Sequence, residues 1–233
     1  MKTKSMVAAG ALLASCALLT GCGGLAGIGG PTDQDEISYE VSEKVATLFV
    51  ESGSGDITVS ETDRQGIKVV ETLYWRGDKP KTEHPVDGDT LTLRYKCEQR
   101  NWGSCGVNYR VEVPKGLKVK TDTGSGNLTL RDLSGELEAT TGSGDIEANG
   151  LAGKKAYAET GSGGAELKYA AVPDSVEVET GSGDVTVRLP QGSYDVTTET
   201  GSGDTSVKVT DDPKSPRKVS LKTGSGDATV LAG

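Results

Sequence analysis

The sequence predicts an all-β protein, a β-solenoid of about six short coils closed by an N-terminal β-sheet cap. Three observations carry that expectation. The tetrapeptide G-S-G-D, or a close relative, begins at Gly53, Gly124, Gly142, Gly161, Gly181, Gly201 and Gly224. From the second copy the steps are 18, 19, 20, 20 and 23 residues, the self-similarity of a stacked repeat. Around each copy apolar and polar residues alternate with period 2, and residues 37–233 sustain no helical period.

The first segment, residues 1–21, is expected to be a leader. Lys2 and Lys4 precede a small-apolar stretch over 6–19 that is too short to span a bilayer. It ends in Leu19-Thr20-Gly21-Cys22, which resembles the lipobox of bacterial lipoproteins. That resemblance implies cleavage before Cys22 and a diacylglyceryl group on its sulfur. An ordinary secretory signal with an incidental cysteine is the plainer alternative. Residues 22–36, rich in Gly, Pro and acids, are expected to be a flexible tether.

Residues 37–233 are expected to form one domain, with 37–116 as first coil and cap and 117–233 as repeat coils. The stretch VATLFVESGSGDITVSE is a first coil in the style of the rest. Strand candidates follow at Ile67–Trp75, Thr90–Lys96 and 107–113, and Phe49, Tyr74, Trp75, Tyr95, Trp102 and Tyr109 concentrate the aromatic residues there. That composition suits a cap over one end of the stack. In the repeats, Val176, Val178, Thr180 and Ser182 share one face and Glu177 and Glu179 the other. After the glycine corner Val185, Val187 and Leu189 turn inward. An antiparallel meander with G-S-G-D as a hairpin turn also fits. Stacking is preferred, because a hairpin needs suitable turn chemistry but not the same four letters each time. Stacking would put Thr123, Thr141, Thr160, Thr180, Thr200 and Thr223 in one inward column, with the following serines beside it, passing hydroxyl hydrogen bonds from coil to coil.

The residue after each second glycine (Asp56, Asn127, Asp145, Gly164, Asp184, Asp204, Asp227) raises the question of calcium. The spacing differs from the calcium-binding nonapeptide, and a polar residue bonding its own backbone at the corner is the simpler reading. No metal or other cofactor is implied. An ice-binding face is disfavoured, because the parity turns the threonines inward beside outward Glu159, Glu179, Glu199 and Lys222.

Removal of residues 1–21, which hold two lysines and no acid, moves the formal charge from −9 to −11. Such an acidic chain does not favour nucleic acid. With Cys16 in the leader and Cys22 carrying lipid, Cys97 and Cys105 remain, and in an exported chain they are expected to form a disulfide. Two sulfurs and the sole histidine, His84, are too few for the alternative of a zinc site. The disulfide would close the loop CEQRNWGSC, in which Arg100 and Trp102 suit recognition of a sugar or a protein surface, together with Trp75. Packing of Trp102 onto the aromatic cap is the structural alternative. The last strand, 228–233, ends without proline or charge and is expected to be an unpaired edge through which copies or partners associate.

Alternating acidic and apolar strands, a Y-x-V-x-V-P-K-G run over 109–116 and the T-G-S-G-D repeats resemble the bacterial "putative adhesin" domain family, over about residues 40–233. The resemblance implies a right-handed β-solenoid displayed on a bacterial surface and carries no catalytic residues. The function expected is a non-catalytic, adhesin-like or envelope-interaction lipoprotein. It would be lipid-anchored on the extracytoplasmic face of the cell membrane and would contact a surface carbohydrate or an envelope protein. A sensing component acting through a membrane partner is the alternative, and a carbohydrate-active enzyme a weaker one. His84 lies in a Lys-, Pro- and Asp-rich loop unsuited to a catalytic triad.

Overall fold

Each glycine corner joins two short strands, and each strand enters a different sheet, so that the chain climbs in two-strand rungs. The computed structural model describes residues 33–98 and 105–233, in which 21 strands and no helix occur. Ten strands form one sheet and eleven the other, with parallel pairing from rung to rung. The expected solenoid is therefore present. The stack has eight rungs rather than about six, because the first coil and the cap insertion each add a rung to the six of residues 118–232.

The repeat strands fall where the alternation put them. Lys118–Ser125, Leu137–Ser143, Lys155–Ser162 and Ser175–Ser182 pair in one sheet. Leu128–Arg131, Ile146–Leu151, Ala165–Tyr169 and Val185–Leu189 pair in the other. Inward positions stack like on like. Leu48, Val119, Leu137, Ala156, Val176 and Val219 follow one another up the first sheet, and Ile57, Leu128, Ile146, Ala165, Val185 and Ala228 up the second. All twelve are buried between the sheets. Burying one such Val, Leu or Ile side chain stabilises by about 1.5–3 kcal/mol, so the thin core gains from its many repeats.

The cap is less simple than expected. Thr90–Lys96 lies parallel to Thr47–Ser54, and Cys105–Val113 lies parallel to Ile57–Glu61, so these two strands make the outermost parallel rung at that end. Ile67–Trp75 then continues the sheet antiparallel to Cys105–Val113, and Asp33–Val41 adds an antiparallel edge. Residues 33–36, expected in the tether, thus belong to the fold. A main-chain ladder at an edge needs no apolar side chains, and residues 33–38 are exposed. The expected leader, residues 1–21, and the lipidation site Cys22 lie outside the described residues.

The far end corrects a second expectation. Ala228–Ala232 is not an edge: it pairs with Val185–Leu189 on one side and with Thr205–Val207 on the other. Lys218–Thr223 likewise sits between Ser175–Ser182 and Ser193–Thr200. The fifth repeat therefore skips one rung, and the last half-repeat returns to fill the place left open. The outermost rung carries Thr198 and Thr205 at inward positions, in register with Leu221 and Ala228 of the rung below. Hydroxyl-bearing side chains tolerate water at an open end better than the apolar residues they replace, which is why this rung and not the last one ends the stack.

At the corner, the threonines stack in the order Thr123, Thr141, Thr160, Thr180, Thr223, Thr200. All but Thr200 are fully buried. Their hydroxyls do not bond one another. Thr141 donates to the carbonyl of Gly126 at 3.0 Å, Thr160 to Gly144 at 2.9 Å and Thr180 to Gly163 at 2.9 Å. Ser125, Ser143, Ser162 and Ser182 are exposed rather than inward: they are the last, still paired residues of their strands, and the threonine two residues earlier is the last buried position. Replacing Thr160 by Val keeps the shape and removes the donor. A loss of about 1 kcal/mol is expected, read as a lower urea midpoint with an unchanged slope.

Candidate functional site

The acidic column is a structural ladder. Asn108 Oδ1 accepts from the amide of Asp56 at 2.9 Å, and Asp56 Oδ1 accepts from Asn127 at 2.8 Å. Asn127 then accepts from Asp145 at 2.9 Å, and Asp145 from Gly164 at 2.8 Å. Above the break at Gly164, Asp184 accepts from Asp227 at 2.9 Å and Asp227 from Asp204 at 2.8 Å. Each carboxylate or amide oxygen thus holds the backbone of the neighbouring rung, rather than its own backbone as expected. Among the described residues no group of three or more His, Cys, Asp or Glu side chains is arranged to hold a metal ion.

Gly164 interrupts this ladder, and a Cβ there would meet only ordinary contacts, Asp184 O at 3.4 Å and Asp145 Oδ1 at 3.8 Å. Gly164→Asn is expected to let a new side-chain oxygen accept from the amide of Asp184. The gain should be about 1–2 kcal/mol, one net hydrogen bond plus the lower entropy of a non-glycine unfolded chain. A thermal midpoint raised by several degrees is the result to look for, and a lowered one would refute the ladder as a stabilising device.

The cap end gathers the aromatic residues. Tyr95 Oη accepts from the amide of Ser54 at 2.8 Å, and the hydroxyls of Tyr74 and Tyr95 donate to its carbonyl at 2.9 and 3.2 Å. The two rings cover the first glycine corner, and burial pushes the Tyr74 hydroxyl upward in pKa. Below them Glu71 is fully buried, and its Oε1 accepts from the Tyr39 hydroxyl at 2.7 Å. Tyr109 is the cross-strand partner of Glu71. Burial first, and the Glu71 carboxylate second, raise the pKa of both the Tyr39 and the Tyr109 hydroxyls. The sequence carried a signal for this cluster that went unused: Glu71 shares strand parity with Ile67, Val69 and Leu73, a polar residue on an inward face.

Cys97 and Cys105 are joined by a disulfide. Trp75 is half-buried against the core, with Lys79 Nζ 5.4 Å from the centre of its ring. Its backbone is the register partner of Cys105, so the indole and the disulfide lie at one end of neighbouring strands. Arg100 and Trp102 lie outside the described residues. His84 is exposed, with its ring against Tyr39 at a centroid distance of 4.6 Å.

The outer face of the eleven-stranded sheet is charged. Lys120 pairs with Glu138 at 2.9 Å and Lys218 with Asp195 at 2.9 Å. Glu159, Glu179, Lys222 and Glu199 follow one another up this face beside Gly161, Gly181, Gly224 and Gly201. Together with the corner threonines they line an open groove of about 610 Å³. Tyr157 donates to Glu159 at 2.6 Å, which raises the pKa of the Tyr157 hydroxyl. A groove this open suits contact with a surface better than enclosure of a small substrate.

The Toastrack DUF4097 family matches residues 45–232. In fold, the chain is similar to the crystal structure of a "putative cell adhesion protein" from Clostridium sporogenes. The TM-score is 0.54 and the identity 15%, over 86% of this chain and 100% of that one. It is also similar to a "putative adhesin" from Bacteroides fragilis, at a TM-score of 0.48 and 14% identity, over 85% of this chain and 97% of that one. No curated protein matches the sequence at a significant level.

Proposed function

The chain belongs to the Toastrack DUF4097 family, and on that premise we propose that it is a non-catalytic, adhesin-like module displayed outside the cell membrane. Lipid on Cys22 holds it to the membrane, and a surface carbohydrate is its ligand. The lipid anchor is supported by the run Leu19-Thr20-Gly21-Cys22, and export by a disulfide of the kind that persists in oxidising compartments. The repeats use their corner hydroxyls and carboxylates on each other, so recognition falls to groups outside the ladders.

Trp75 carries the reading. A partly exposed indole fixed on a rigid sheet, next to the disulfide that closes the segment holding Arg100 and Trp102, is suited to stack on a sugar ring. The test is capture of purified envelope polysaccharide by the intact protein and by Trp75→Ala and Trp102→Ala variants. Capture should fall at least about tenfold, the effect of losing roughly 1.4 kcal/mol, at a temperature where circular dichroism shows both variants still folded. Equal capture by both variants would remove this end of the stack from the function. Cys22→Ala should shift the protein from the membrane to the soluble fraction, and retention in the membrane would refute the anchor.

A further inference from the structure

We propose that residues 218–233 form an exchangeable rung, and that a second copy of this chain supplies it reciprocally, giving a rung-swapped dimer. The slot they fill is built to recognise one thing. From below, Asp184 Oδ1 accepts from the amide of Asp227 at 2.9 Å, and the carbonyl of Gly183 accepts from the Thr223 hydroxyl at 2.9 Å. From above, Thr200 donates to the carbonyl of Gly226 at 2.9 Å, and the amide of Asp204 donates to Asp227 Oδ1 at 2.8 Å. The occupant of the slot is therefore known, and any other copy of the chain carries the same segment.

Among the described residues, the outer rung, Ser193–Thr200 with Thr205–Val207, pairs with the stack only through this insert. Once the insert leaves, the outer rung has two courses. It can lose its ladder, or it can drop one step onto Ser175–Ser182, because every rung offers the same T-G-S-G corner. The dropped form brings Thr198 and Thr205 against Val178 and Val185 and exposes Val219, Leu221, Ala228 and Val230, which are now fully buried. Only a slot with a rung on each side buries those four side chains again, and a second molecule opened in the same way offers one.

The segment that must swing out is short and held locally. Residues 212–217 (DPKSPR) contain Pro213 and Pro216. Asp212 accepts from Lys214 N and Ser215 N at 3.0 and 2.8 Å, and Ser215 Oγ donates to the carbonyl of Ser193 at 2.8 Å. Extended, six residues reach about 20 Å, roughly four rung spacings, enough to pass between two stacks meeting end to end. Short hinge loops of this kind invite swapping. The opposite end is different, because its outer rung is closed covalently by Cys97–Cys105.

Thr186 and Thr229 are register partners on outward, half-exposed positions, one on the rung below and one on the insert. Full-length Thr186→Cys and Thr229→Cys variants are mixed, warmed to just below the unfolding midpoint, cooled and oxidised. A covalent dimer linked between positions 186 and 229 is expected, several-fold more abundant than in an unwarmed mixture and rising with concentration. The double variant should instead close within one chain. A warmed mixture without that link, or a double variant that does not close, overturns the proposal. Should the cysteine variants fail to fold, hydrogen exchange on the unaltered chain decides. Residues 218–233 must open before 118–189, and loss of protection in both at once overturns the exchange.

Discussion

Gly163→Ala is expected to cost at least about 3 kcal/mol, enough to lower the unfolding midpoint by roughly 10 °C in a domain of this size. Gly163 has φ +142°, a region that L side chains rarely adopt, and a Cβ there would lie 2.1 Å from the carbonyl oxygen of Gly144. The obstacle is backbone, held by its own ladder, so it cannot swing aside as a side-chain tip would. Relief requires the two rungs to part. Parting strains the bond from Gly164 N to Asp145 and the bond from Thr160 to the carbonyl of Gly144, each worth about 1 kcal/mol, on top of 1–3 kcal/mol of backbone strain. Gly116→Ala is the control: φ is +78° but nothing lies within 4 Å, so only the conformational cost of about 1–2 kcal/mol remains. Thermal unfolding followed by circular dichroism distinguishes the two. Equal shifts would mean that rung contact at Gly163 is not what the glycine serves.

Removing the disulfide with paired Cys97→Ser and Cys105→Ser substitutions should cost about 2–3 kcal/mol, the loop-closure entropy of a nine-residue ring. The effect is expected to be local, since stability in a stack is close to a sum over rungs and their interfaces. Thr90–Lys96 and Cys105–Val113 should lose hydrogen-exchange protection first, together with Ile67–Trp75, which is paired to Cys105–Val113. Glu71 and Tyr109 lie in those strands and Tyr39 on the neighbouring Asp33–Val41, so opening would expose a carboxylate and two hydroxyls to water. Residues 137–189 should keep their protection. A uniform loss along the whole stack would show that the cap and the repeats unfold as one unit.

Much of this architecture was legible in the letters. The strands Ile67–Trp75 and Thr90–Lys96 have the bounds that alternation indicates, and the threonines superpose because each is flanked by the same corner. The exchange of order at the far end was not legible by the same logic. When every rung presents the same donors and acceptors, any rung fits on any other, and sequence adjacency is then only a default. The distinguishing signal was small, Thr198 and Thr205 where the final half-repeat has Leu221 and Ala228. Asp33–Val41 was missed for another reason, since it joins the sheet by main-chain bonds while residues 33–38 remain in water. The serines share the parity of the buried threonines but stand at the strand ends, where the core stops before the ladder does. Glu71 could have been found, as a charge on an apolar face.

The ladder through Asp56, Asn127 and Asp145 has a consequence for the length of the molecule. Because each coil hands on what it receives, excising a complete unit leaves two ends that still match. Excision of residues 155–174 would set the amide of Asp184 over the carboxylate of Asp145 and mend the interruption at Gly164. The shortened chain would stand about 4.8 Å lower. A chain that gains or drops such units changes the length of its stack in fixed increments, and at each length the ends still match.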